Sequence, residues 1–140
     1  MFELHPQLAA DTVPIVTWPL SEVLLINDAN DPWLVLVPAR EDLRDFDDLA
    51  PDDLHRASEE TVRASKALKA AFAPDKINVG ALGNVVPQLH IHVIARFIDD
   101  AAWPQPIWGV VPAQPYAAEA LEARLAVLRD ALGVSREMLC

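Results

Sequence analysis

Residues 84–97 read NVVPQLHIHVIARF, and the fold turns on how this stretch is interpreted. From Gln88 to Ile94 polar and apolar residues alternate, a period of two that predicts a strand half in the core and half exposed. Leu89, Ile91 and Val93 form the apolar row, while Gln88, His90 and His92 share the opposite face. Thr, Ser or Lys would fill exposed strand positions as well or better, so two imidazoles on one face call for a reason. Neutral imidazoles at i and i+2 can share a metal ion, but such a site needs a third ligand, often a carboxylate. The strand runs on to Arg96 instead, and a fixed guanidinium opposes a cation and welcomes an anion. The favoured reading is a polar row facing a phosphate. Surface histidines without a role are the plain alternative.

Working outward, Lys76–Val79 predicts a strand, followed by the turn GALGN, which holds Gly80 and Gly83, two of the four glycines in the chain. Glycine allows positive φ and close backbone approach, so this turn can present N–H groups to an anion; the ordinary reading is a hairpin turn and no more. Upstream, Pro51 opens a helix with Asp52 and Asp53 in its first turn, and Pro74 stops it after Lys66 and Lys69. Leu54, Ser58, Thr61, Ser65, Leu68 and Phe72 recur at helical spacing and are expected to pack on the sheet, with the charged residues on a solvated face. Val13–Trp18, Glu22–Asn27 and Leu34–Val37 predict three more strands, the last too uniformly apolar to face water. Pro19 ends the first, and NDANDP makes a hairpin between the second and third. Residues 2–10 suit a short helix or turn. Trp103 and Trp108 lie in an irregular Trp/Pro segment and suit a core or an interface better than a stacking wall. Leu121, Leu125, Leu128 and Leu132 mark a C-terminal helix capped by Gly133. The expected fold class is α+β: a mainly antiparallel sheet of about five strands with one long central helix and a C-terminal helix.

At 140 residues and 52% hydrophobic composition, one domain spanning 1–140 is expected. The formal charge of -10 disfavours nucleic-acid polymers, whose binding rests on neutralising phosphates with Lys and Arg, yet allows a small phosphorylated ligand in a local pocket. The single cysteine, Cys140, leaves no internal disulfide, and the chain start shows neither a secretory leader nor a membrane span, so a cytoplasmic protein without membrane partners is expected. His5 and His55 lack a supporting pattern and are expected at the surface.

NVVPQLHIHVIAR, together with the DFDDL stretch and the long helix, resembles the histidine-triad (HIT) family of nucleotide hydrolases and transferases over residues 20–97. The resemblance implies a HIT-like fold and a homodimer. It implies that His90 is the nucleophile, attacking the α-phosphate of a nucleotide to give a nucleotidyl-imidazole that water later releases, and that His92 hydrogen-bonds the phosphate under attack. Gln88 stands where the first triad histidine is expected, and Trp33 where members commonly carry another histidine. Asn27 falls near a ribose-binding position, and Asn78, Gly83 and Asn84 match the phosphate- or leaving-group-contacting positions around the glycine turn. The implied reaction is cleavage of a nucleoside phosphoanhydride or phosphoramidate, such as a dinucleoside polyphosphate or adenosine 5'-phosphoramidate. The scheme requires no metal or other cofactor, although a divalent cation can accompany a polyphosphate substrate. In chemical terms, an imidazole nucleophile must be neutral with its second nitrogen held, usually by a carbonyl oxygen. An amide such as Gln88 can orient but cannot shuttle a proton. Replacement of two histidines leaves open a nucleotide- or partner-binding module with little turnover, and a two-histidine metalloenzyme is the weakest reading.

Overall fold

The computed structural model describes residues 1–134; Cys140 lies outside them. Its central strand is as apolar as its sequence: β3 (Trp33–Pro38) is buried at every position, which is possible only where both faces of a sheet are covered. The sheet order is β1 (Thr12–Thr17), β2 (Ser21–Ile26), β3, β5 (Ile91–Arg96), β4 (Lys76–Gly80), and every pairing is antiparallel. Pro14 lies within β1 beside a register shift, a place open to it because β1 is an edge strand. The α+β class and the five-stranded antiparallel sheet are as the sequence leads one to expect.

One face of the sheet carries α2 (Pro51–Phe72) and α3 (Ala118–Ala131) over a core that includes Leu25, Leu34, Leu36, Ile91 and Val93. The helix ends follow their punctuation: Pro51 at the first turn of α2, Ala73 in a left-handed C-cap before Pro74, and Gly133 at φ 74° beyond α3. The buried face of α2 differs from the expected one. Ala57, Glu60, Ala64, Ala67 and Leu68 are buried, whereas Ser58 is exposed and Leu54 is 39% exposed. Alanines, not serines, allow the close approach to the sheet. Glu60 is an exception to the solvated-face reading: its carboxylate accepts from the main-chain N–H groups of Leu20 and Ser21, closing the β1–β2 turn.

The other face is covered as well. Phe2 and Leu4 of the N-terminal arm, Leu8 of α1 (Pro6–Asp11), and Ala102, Ile107 and Trp108 pack over Leu24, Trp33, Val35, Val37 and Ile94. The polar row of the histidine strand lies under this second layer, so the expected exposed face is corrected: every residue of β5 is buried. The strand also begins later than the alternation suggests. Pro87 has no N–H for a ladder and Leu89 N–H turns to the carbonyl of Leu43, so pairing starts at Ile91. Residues 81–90 form a long connection between β4 and β5 instead of a tight glycine hairpin. Among the described residues no helix is long and apolar enough to cross a membrane.

Candidate active site

His92 is paired across the sheet with Val35 of β3 and Gly80 of β4. The missing side chain of Gly80 leaves space for an indole: a Cβ there would stand 3.2 Å from Cη2 of Trp108. Trp108 therefore lies over this row, its ring centroid 5.3 Å from that of His92, and Trp33 stands 5.6 Å from His92 on another side. The Trp33 indole Nε1–H donates to His92 Nδ1 at 2.9 Å. Burial, and then the neighbouring His90, push the His92 imidazole down to a pKa of about 4, so it is neutral near pH 7.

His90 is 7% exposed, yet it lines a cleft of about 490 Å³ with Leu89, Ala81, Leu82, Gly83 and the Arg44–Asp47 segment. Its Nδ1 lies 2.7 Å from the main-chain oxygen of Gln88. A carbonyl only accepts, so this contact places the His90 proton on Nδ1 and leaves Nε2 with its lone pair. The two rings stand 4.9 Å apart at 68°. Gly83 adopts φ 72° on the wall of the same cleft, a conformation that favours glycine.

Other expected site residues are placed elsewhere. The Gln88 side chain does not meet His90; its Oε1 accepts from His5 N–H at 2.8 Å and its Nε2 donates to the Glu3 carbonyl at 2.8 Å, fastening the N-terminal arm. His5 is accordingly no idle surface residue, for its Nδ1 accepts from Gln7 N–H and caps α1. Asn27 Oδ1 accepts from Tyr116 N–H, and Asn78 Oδ1 from Arg96. Asn84 is exposed on the loop. His55 is exposed beside Glu59, as expected.

Arg96 is corrected outright. It is 1% exposed and binds Asp100 through Nε and Nη2, Asn78 through Nη1 and the Gln105 carbonyl through Nη2. Its guanidinium is taken up by partners within the fold, so neither the attraction of an anion nor the case against a metal rests on it. The pairing holds the Asp100 carboxyl well below the usual carboxylate range, and Asp100 in turn accepts from Phe97, Ala102 and Trp103 N–H groups. Sequence reading missed this anchor of the Trp/Pro layer; the DDAAW run offers Asp100 as one of two equal acids. Among the described residues, the one group of three carboxylates close enough to share a cation is Asp45, Asp47 and Asp48, all exposed. One Asp48 oxygen already accepts from the N–H groups of Arg44 and Asp45, which lowers its pKa.

The sequence and the fold have counterparts among known proteins. The HIT domain family profile matches residues 7–99. A histidine triad protein from Bradyrhizobium japonicum superposes with a TM-score of 0.91 at 45% identity, covering 94% of this chain and 98% of that one. One from Sinorhizobium meliloti gives 0.90 at 42%, covering 93% and 96%, and one from Marinobacter aquaeolei gives 0.92 at 42%, covering 95% and 97%. A comparison with curated proteins gave no match.

Proposed function

Because this chain belongs to the HIT domain family, within the nucleotide-binding hydrolase and transferase superfamily, we propose that it cleaves nucleoside phosphoanhydrides or phosphoramidates through a nucleotidyl intermediate on His90. Dinucleoside polyphosphates and adenosine 5'-phosphoramidate are the substrate classes. The observation that carries the reading is the hydrogen-bonded state of the pair: the Gln88 carbonyl holds His90 Nδ1–H, leaving Nε2 as a nucleophile at the cleft.

In the proposed reaction the Nε2 lone pair of His90 forms a bond to the α-phosphorus while the bond to the leaving group breaks, its electron pair departing with that group, which for a phosphoramidate takes up a proton from solvent as it leaves. The ring becomes cationic, and the Gln88 carbonyl on Nδ1–H steadies that charge. His92 supplies a hydrogen bond to a phosphate oxygen, and backbone around Gly83 supplies others. Water then attacks phosphorus and gives up a proton to solvent, the P–N bond breaks, and the nucleoside monophosphate leaves as Nε2 recovers its lone pair. No resident cofactor enters these steps; a divalent cation would travel with a polyphosphate substrate. Asn27, Asn78 and Asn84 are retained as nucleotide-binding candidates; the first two have their Oδ1 engaged by Tyr116 N–H and Arg96, which leaves their amide Nδ2 as the donor toward a ligand. The proposal includes a homodimer, which sedimentation of the purified protein checks, and a cytoplasmic location, which cell fractionation checks.

The test is a quenched incubation with substrate followed by mass analysis of the His90 peptide. A nucleotide adduct on that peptide and a loss of at least about 10³-fold in turnover for H90A are expected; full activity in H90A without an adduct overturns the reading. Burial of both rings, with Trp108 over His92, favours one second reading, a binding module with little turnover. Calorimetry with AMP beside a sensitive hydrolysis assay separates the two, since tight binding without product belongs to the module.

A further inference from the structure

We infer that Trp33 is the positioning residue that locks His92 in the tautomer carrying its proton on Nε2, making His92 a permanent donor beside the nucleophile. The geometry is a buried contact between the two side chains, Nε1 to Nδ1 at 2.9 Å, with Trp33 8% exposed and His92 6% exposed. An indole N–H can only donate, so His92 Nδ1 must accept and its proton must sit on Nε2. A second imidazole at position 33 would behave differently, because either of its nitrogens can donate or accept and it can itself ionise. Indole removes both freedoms.

The surroundings reinforce the lock. The titratable group facing His92 is His90 on its own strand; β3 presents Trp33 and Val35, β4 presents Gly80, and the 101–116 segment presents Trp108, none of which ionises near neutrality. Protonating His92 at Nδ1 would break the Trp33 bond inside an apolar layer, so the neutral ring is held on two counts. The result is a complementary pair. His90 carries its proton on Nδ1 against a carbonyl, His92 carries its proton on Nε2 against an indole, and one ring accepts where the other donates.

This inference rests on the proposed phosphoryl chemistry only for its consequence, and its test is built to fail separately. In the full-length protein with labelled histidine rings, long-range proton–nitrogen correlation spectra should show His92 as a single Nε2–H tautomer, constant from about pH 5.5 to 8. In W33F the His92 signals should average between tautomers and titrate at higher pH than in the wild type. With a phosphoramidate substrate, kcat of W33F should fall about tenfold and KM change less than about threefold, a smaller loss than deleting a transition-state donor outright. A wild-type His92 protonated on Nδ1 or averaged between tautomers overturns the inference even if W33F fails to fold. So does a W33F spectrum identical to the wild type. Absence of turnover in a wild type that shows the locked tautomer removes the hydrolase reading and supports the lock.

Discussion

Gln88 acts through two sets of atoms at once. Its main-chain oxygen holds His90, while its side-chain amide holds the N-terminal arm at Glu3 and His5. Removing the side chain as Q88A leaves the first contact intact and deletes the second. Two hydrogen bonds worth about 1 kcal/mol each are lost. The arm should then exchange amide hydrogens faster at residues 2–5, while kcat stays within about threefold of the wild type. Q88H should likewise keep its turnover, for a histidine there retains the same carbonyl. A collapse of kcat in Q88A with the arm still protected would mean that the amide takes part in the chemistry. At this scale the sequence discloses the need for a carbonyl on the nucleophile's second nitrogen, since that follows from imidazole chemistry. It does not disclose where an uncharged side chain such as Gln88 or Asn27 points, because several backbone groups of equal appeal compete for each amide.

Among the elements, α2 separates what pattern reveals from what it hides. Its ends are legible because Pro51 and Pro74 restrict the backbone wherever the chain goes. Its buried face is legible only in part: Leu68 and Phe72 of the expected stripe do pack on the core, but Leu54 and Ser58 do not, and Ala57, Ala64 and Ala67 make the rest of the contact. Ala57 and Ala64 are fully buried against the sheet-facing core. A64L should therefore cost about 1–3 kcal/mol through overpacking, whereas S58A should stay within about 0.5 kcal/mol. Urea unfolding of both variants checks the assignment, and the reverse ranking would return the serine stripe to the interface. The histidine strand shows a related limit. Alternation reveals which residues share a face, and Leu89, Ile91 and Val93 do share one core while Ile94 lies in the other. Whether the second face meets water depends on residues 101–116, whose irregular sequence carries no period to read.

Across the whole molecule, two buried groups, His92 on β5 and Asp31 just before β3, pull stability in opposite directions with pH. His92 is neutral when folded, with a pKa near 4 against 6.5 for the free side chain. Between those values the unfolded chain holds more protons, so the His92 contribution is complete above pH 6.5 and is lost as pH falls toward 4. Its size is on the order of 3 kcal/mol. Asp31, two residues before Trp33, is pushed up to about 7, first by burial and then by the charge of Asp100. Here the folded chain holds the extra proton, so the Asp31 contribution is complete below about pH 3.8 and is lost as pH rises toward 7. Each effect partly masks the other in the wild type, which makes the variants more informative than the parent curve. H92Q should lose less stability than the wild type on going from pH 7.5 to 4.5. D31N should gain on the wild type on going from pH 5 to 8, because an amide has no proton to surrender beside Asp100. Urea midpoints at these four pH values decide the matter. If both substitutions tilt the curve the same way, at least one of these carboxyl or imidazole environments is not the one described.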